Sequence, residues 1–151
     1  MPRKTDSHNP ADWLFFVESD LALLRVAGER ELGFELACSK LAECLEKLIK
    51  AELIRQGWEL MKTHDLLLLA EELDARHSDL LPTILPLAQS LAEKYFADRY
   101  PGFDLDDPDW PTYRRQFLEI ETLCAEIKRR LPPAETIRRD ETRLVCRLVQ
   151  T

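Results

Sequence analysis

The chain is 151 residues long, which is the size of one ordinary domain and too short for two comfortable ones. Four residues are glycine, 45% are hydrophobic and 32% are charged, a composition that favours helices and leaves few turns for a β-rich fold. We therefore predict an all-α protein.

The formal net charge of −7 is unevenly distributed. Residues 128–151 hold seven Lys or Arg and three Asp or Glu, a net charge of +4, which leaves −11 for the rest of the chain. A body this acidic is not typical of a non-specific nucleic-acid binder, which needs a broad basic face to hold phosphates. Any nucleotide ligand therefore requires a local basic site.

Targeting signals and cysteine clusters are missing from the sequence. The N-terminal residues MPRKTDSHNPADW contain no apolar segment of signal-peptide length, and no later segment has about 18 consecutive apolar residues, so we predict a cytoplasmic protein without a membrane anchor. The four cysteines form no CxxC pair and have no histidine nearby to complete a zinc site. We expect them to pack as small hydrophobic side chains, and we predict no metal site and no cofactor.

The first two predicted helices follow clear start and stop signals. Asn9-Pro10 is typical of a helix start, and apolar residues at helical spacing continue to about Ala27, with glycines at 28 and 33 as the expected breaks. A longer apolar stripe over residues 34–51 predicts a second helix that ends at Gly57. On its opposite face we expect solvated ion pairs at i, i+4 spacing, Glu43 with Lys47 and Glu46 with Lys50.

The next two helices are shorter. Thr63 is a candidate cap for a third helix that contains LLLLAEEL and closes near Asp74, and its apolar composition predicts burial on most sides. Pro82 and Pro86 fall early in a fourth helix that leads towards Arg99.

A fifth helix completes the predicted bundle. Asp109 and Pro111 start it, and an amphipathic stripe carries it to Arg130. Beyond Pro132-Pro133, RLVCRLV is compatible with a short docking helix or an added strand. We predict a flexible N-terminus over residues 1–9, an antiparallel up-and-down bundle of four to five helices over residues 10–131, and a basic C-terminal extension over residues 132–151.

Four sequence blocks occur in a fixed order between residues 11 and 101: ADWLFFVESDLALL, ACSKLAECLEKLIKAELIRQG, KTHDL and EKYFADRYP. Together they resemble the HEPN family, the higher eukaryotes and prokaryotes nucleotide-binding domains, in the branch found beside minimal nucleotidyltransferases. The resemblance implies a helical bundle that forms a homodimer and binds a nucleotide, an RNA end or a nucleotidyltransferase partner, in a toxin-antitoxin-like pair. It also implies RNA cleavage for some members of the family.

The cleaving members of that family carry an arginine, four to six intervening residues and a histidine. Counted from Arg99, the histidine positions are Asp104, Leu105 and Asp106, so the motif is not found here. We therefore predict no catalytic residue and a non-catalytic binding protein. Two alternatives stay open: a metal-independent ribonuclease in which His64 or Asp104 replaces the histidine, and a plain dimerisation or protein-interaction module.

Five residues are candidate nucleotide contacts. An arginine in the last turn of a helix either forms bidentate contacts with a phosphate or satisfies helix carbonyls and nearby aspartates. A lysine on the second helix either lies on a basic rim or pairs with an acid one turn away. A histidine at a helix start either exchanges protons or packs on a neighbour. The candidates are Arg99, Tyr100, Lys40, Lys47 and His64.

Two further features have alternative interpretations. Trp13 and Trp58 are interpreted as apolar anchors. For Trp58, which lies in a loop, the alternative is a surface on which a base stacks. The basic C-terminal extension is either an arm for an acidic partner or RNA, or a segment that docks on the acidic body of its own chain.

Overall fold

The computed structural model describes residues 4–94, 101–102 and 105–132. This part of the chain contains five helices and no strand, which confirms the predicted all-helical fold. None of the five is long and apolar enough to cross a membrane. The candidate contacts Arg99 and Tyr100, and the sequence RLVCRLV, lie outside the described residues. The helices are α1 (Pro10–Arg30), α2 (Phe34–Arg55), α3 (Leu66–Ala75), α4 (Leu81–Leu91) and α5 (Trp110–Arg130).

The second helix forms the centre of the molecule. It contacts each of the other four helices, and 14 of its 22 residues are buried. Its aliphatic side chains meet buried leucines and isoleucines from α1, α3, α4 and α5 in one core cluster. The predicted start and end of this helix are confirmed to within two residues, because Gly33 precedes it and Gly57 follows it.

The first helix continues past its predicted end, because Gly28 does not break it. Gly28 is buried against the ring of Tyr113 from α5, whose hydroxyl donates a 2.8 Å hydrogen bond to the carbonyl of Leu24. The helix ends instead at Arg30, where the following residue, Glu31, has a left-handed φ of 54°, and Gly33 then turns the chain into α2 with a φ of 58°. Packing against a neighbouring helix, rather than backbone freedom, explains the glycine at position 28.

Aspartates cap two of the later helices. Asp65, not Thr63, caps α3, since its carboxylate accepts hydrogen bonds from two amides of the first turn, while the Thr63 hydroxyl accepts one from the Asp65 amide. Asp109 caps α5 as predicted and accepts from the Thr112 amide at 3.1 Å. Trp58, between α2 and α3, is buried, which confirms the apolar-anchor interpretation for this residue.

A buried carboxylate ties the last turn of α5 to the end of α2. The Glu52 side chain is 0% exposed and accepts hydrogen bonds from Arg55 at 2.6 and 2.9 Å and from Arg130 at 3.1 Å. Arg130 also donates to Asp79, between α3 and α4, at 2.9 Å. The Arg130 guanidinium therefore joins the end of α5 to the end of α2 and to the segment between α3 and α4.

We predict that Gly28→Ala lowers the free energy of unfolding. The new Cβ would lie 2.9 Å from Cε1 of the buried Tyr113 ring, which its hydroxyl bond holds in place. The gain in helix propensity of about 1 kcal/mol is smaller than an overpacking cost of about 1–3 kcal/mol, so we expect a net loss of about 1 kcal/mol in chemical denaturation. Glu29→Ala, at the next and exposed position, is the control and should change stability by less than about 0.5 kcal/mol. A more stable Gly28→Ala variant would contradict the packing interpretation.

We predict that Arg130→Met lowers the free energy of unfolding more than Gly28→Ala does, because it removes a hydrogen-bond donor from the fully buried Glu52. The free energy of unfolding at pH 7 should fall by about 2–3 kcal/mol.

Hydrogen bonds from Arg129 and Arg130 lower the pKa of Glu126 from 4.5 to about 2. A carboxylate with a lowered folded-state pKa adds stability that is complete above its unfolded pKa and is lost as the pH falls through the folded pKa. Stability should therefore decrease between about pH 5 and pH 2, and less steeply in Arg130→Met.

The matched control is Arg129→Met. Arg129 is 71% exposed and bonds to Glu126, so its removal should lower the free energy of unfolding at pH 7 much less than the removal of Arg130 does. Equal losses in the free energy of unfolding of the two variants would show that the bond from Arg130 to Glu52 does not stabilise the fold.

Candidate functional site

Two of the candidate lysines lie on the same side of α2, and each has an acidic partner. The Lys40 ammonium donates to Glu43 at 2.7 Å, and the Lys47 ammonium donates to Asp20 of α1 at 3.1 Å. Lys40 is therefore paired within its own helix, whereas Lys47 reaches across to the neighbouring helix.

A cavity of about 350 Å³ lies beside Lys47, where residues 5–7 cross the start of α1. Trp13 and Phe16 supply its apolar surface. Hydrogen bonds hold the crossing segment in place: the Trp13 indole donates to the Ser7 carbonyl at 2.8 Å, and the Asp6 amide donates to the Asp12 carboxylate at 2.8 Å.

Each aromatic ring of this cavity has a lysine ammonium close to it. The Lys47 nitrogen lies 5.7 Å from the centroid of the Phe16 ring, and the Lys50 nitrogen lies 5.5 Å from the centroid of the Trp13 ring. Both distances are within the range of a cation–π interaction. The cavity thus combines aromatic surface, on which a planar ring can stack, with a cation that can meet a phosphate.

A buried ion pair lies next to the Trp13 ring of the cavity. Lys50 donates to Glu46 at 3.0 Å, and the two side chains are only 5% and 7% exposed. The predicted pairing of these residues is confirmed, but the predicted solvated face is wrong. Trp13 of α1 covers Lys50, and His64 places its Nδ1 2.8 Å from the other oxygen of Glu46, so this part of α2 faces its neighbours rather than water.

His64 lies at the edge of this ion pair. Its ring is 60% exposed, and it immediately precedes the Asp65 cap of α3. Its contact with Glu46 connects the start of α3 to α2. This position matches the interpretation of His64 as a residue at a helix start that packs on a neighbour.

The contribution of α1 to this region was not predicted from the sequence. Trp13, Phe16 and Asp20 are spaced so that they follow one side of the helix, and all three meet lysines of α2. The spacing was visible in the sequence, but the residue pairs across the two helices were not.

The described part of the chain contains no group of three or more His, Cys, Asp or Glu side chains that could hold a metal ion. Cys38, Cys44 and Cys124 are buried, and burial raises the pKa of Cys44 to about 12 and that of the other two thiols to about 11. These thiols are protonated at neutral pH and therefore are not nucleophiles.

Residues 11–127 match the family model of the HEPN domain. The chain belongs to the HEPN family. The match spans the described helices almost completely, from the start of α1 to the last turn of α5. Comparisons with curated proteins and with solved structures give no match. The HEPN family consists of helical domains of nucleotide-binding or ribonuclease type.

We predict that the buried pair contributes to the stability of the HEPN bundle. Lys50→Met leaves the Glu46 carboxylate buried without its ammonium partner, and we expect the free energy of unfolding to fall by about 3 kcal/mol in chemical denaturation. Lys47→Met is the matched control, because the Lys47 and Asp20 side chains are partly exposed and such a pair is worth no more than about 1 kcal/mol. Similar losses of stability in both variants would mean that the buried Lys50–Glu46 pair contributes no more than the partly exposed Lys47–Asp20 pair.

Proposed function

We propose that this HEPN protein binds a nucleotide or an RNA end without cleaving it, as a cytoplasmic homodimer that works with a nucleotidyltransferase partner in a toxin-antitoxin-like pair. Family membership supports the ligand class. The order of the sequence blocks resembles the branch found beside nucleotidyltransferases, which supports the partner. We also propose that neighbouring helices run antiparallel. The reversed order of the contacts between α1 and α2 supports this, since Trp13 meets Lys50 and the later Asp20 meets the earlier Lys47.

The observation that carries the proposal is the cavity between α1, α2 and the N-terminal segment. Its volume of about 350 Å³ lies within the usual range for small-ligand sites, about 300–1,000 Å³. The rings of Trp13 and Phe16 offer a surface for a base, and Lys47 is the cation nearest to them that also lines the cavity.

A phosphate must compete with carboxylates at this site. Lys47 is paired with Asp20, and Asp6 and Asp12 also line the cavity or its edge. In our proposal the phosphate replaces Asp20 as the partner of Lys47, which costs little because a partly exposed pair is weak. A bound base meets the acids through its amino groups, because a carboxylate accepts hydrogen bonds and donates none.

The remaining candidate contacts are proposed on chemical grounds. Arg99 offers the planar fork of donors that suits a phosphate, and Tyr100 beside it offers a ring and a hydroxyl. Lys40 and His64 supply further cationic or hydrogen-bonding groups on the α2 side of the bundle. The absence of histidine at positions 104–106 supports a binding protein rather than a ribonuclease.

Thermal unfolding with a panel of the four ribonucleoside monophosphates and triphosphates tests the proposal. A ligand at 100 times its dissociation constant adds about 2.7 kcal/mol to the folded state, which raises the midpoint by several degrees in a domain of this size. We expect the shift in wild type to shrink in Lys47→Ala and in Arg99→Ala. Lys62→Ala removes an exposed lysine that does not line the cavity and should keep the full shift.

The alternative functions predict different results in the same preparation. RNA cleavage that persists through repurification and is lost in Arg99→Ala would replace the proposal with the ribonuclease alternative. The absence of a shift with every nucleotide, together with stable co-purification of a second protein, would replace it with the protein-interaction alternative.

A further inference from the structure

The polar side chains that line the cavity differ in whether they donate or accept hydrogen bonds. Asp6 and Asp12 contribute two carboxylates, which accept and do not donate. Thr5 and Ser7 contribute hydroxyls, which do either. Among the described residues that line the cavity, Lys47 is the only charged donor. A base bound here therefore meets carboxylate acceptors from the N-terminal segment and the start of α1.

Asp6 is the exposed one of the two carboxylates, and its backbone holds it in place. Its amide donates to the Asp12 carboxylate at 2.8 Å, and its carbonyl accepts from the Asn9 amide at 3.0 Å. Its own carboxylate accepts from the His8 amide at 2.8 Å. A carboxylate has about four lone-pair sites, so this one bond leaves capacity for a ligand. An acceptor that is already positioned loses little freedom when a ligand binds.

Guanine is the base whose edge best matches a carboxylate. Its N1–H and its N2 amino group donate side by side, so the two oxygens of one carboxylate can accept from both. Adenine and cytosine each present one amino group beside a ring nitrogen that accepts. Uracil presents a single N–H between two carbonyls, and those carbonyls are repelled by a carboxylate.

We propose that the cavity selects a guanine nucleotide through Asp6, whose carboxylate accepts from N1–H and from the N2 amino group of the base. This inference rests on the proposed function and assigns its base. The ring stacks on the surface of Trp13 and Phe16, and the phosphate meets Lys47. Asp12 is the less suitable acceptor, because it is only 9% exposed and already accepts from the Asp6 amide.

The rings of the cavity do not compete with Asp6 for the edge of the base. The indole N–H of Trp13 donates to the Ser7 carbonyl at 2.8 Å, so Trp13 offers its face rather than a donor. Stacking alone tolerates every base. The choice of base therefore depends on the hydrogen bonds at its edge, and the carboxylate of Asp6 supplies them.

Calorimetric titration of the full chain with five nucleoside monophosphates tests the preference. We expect guanosine monophosphate to bind at least about tenfold more tightly than inosine monophosphate, which differs from it only by the missing N2 amino group. Uridine monophosphate should bind most weakly, and the adenosine and cytidine nucleotides should lie between guanosine and uridine. This comparison needs no variant, so it does not depend on how a substitution affects folding.

Asp6→Asn tests the residue. An amide has one accepting oxygen and one donating nitrogen, so it cannot accept from both guanine donors. It can pair with the N1–H and the adjacent carbonyl that guanine and hypoxanthine share, so the preference for guanosine over inosine monophosphate should fall to about one. The affinity for uridine monophosphate should rise, because uracil also presents an N–H beside a carbonyl. Asp107→Asn is the matched control, since it changes an exposed aspartate outside the cavity and should keep the tenfold preference of about that size.

The outcomes separate this inference from the proposed function. Binding with equal affinity for guanosine and inosine monophosphates in wild type overturns the guanine preference and leaves nucleotide binding standing. A guanine preference that Asp6→Asn retains overturns the assignment to Asp6. No binding of any of the five nucleotides overturns both the inference and the nucleotide-binding function. Circular dichroism of Asp6→Asn establishes that a lost preference does not come from unfolding.

Discussion

The burial of α2 on nearly every side is the constraint on which the rest of this bundle depends. A helix that four others surround has little surface left for water, so each polar side chain on it requires a partner within the protein. Glu46 meets Lys50 and His64, and Glu52 meets Arg55 and Arg130. These contacts also fix the neighbours, because the partners come from the start of α3 and the end of α5 as well as from α2 itself.

The same constraint creates the candidate site. Lys50 is buried under Trp13, whereas Lys47, about one turn earlier on α2, lies where the cover of α1 ends and is only partly exposed. An ammonium at such a boundary keeps its charge near an aromatic surface and still reaches a ligand. The acidic body of the chain explains why the site is local. The two lysines beside the cavity rings, Lys47 and Lys50, each have a carboxylate partner, so a phosphate at this site would have to replace one of those carboxylates.

The local sequence pattern predicted the helices. The features that it did not predict depend on contacts between helices. Periodicity and the Asp109 cap located α2 and α5 because both signals depend on residues close in sequence. Gly28 was interpreted as a break, but Tyr113 from a helix 85 residues later requires a residue without a side chain there. Glu46 and Lys50 have the spacing of a solvated pair, and only the position of Trp13 shows that they are buried. The cavity depends on the same pairing of α1 with α2.

The first helix contributes to both the core and the cavity, and its different sides explain how. One side enters the core, and the side towards α2 lines the cavity with Trp13 and Phe16. An ordinary surface helix has an apolar side and a charged side. Here Glu18 and Arg25 bond to α5, and Asp20 bonds to α2. These ion pairs lie on both sides of the helix and hold α1 against two neighbours, so they help to fix the positions of Trp13 and Phe16 at the cavity.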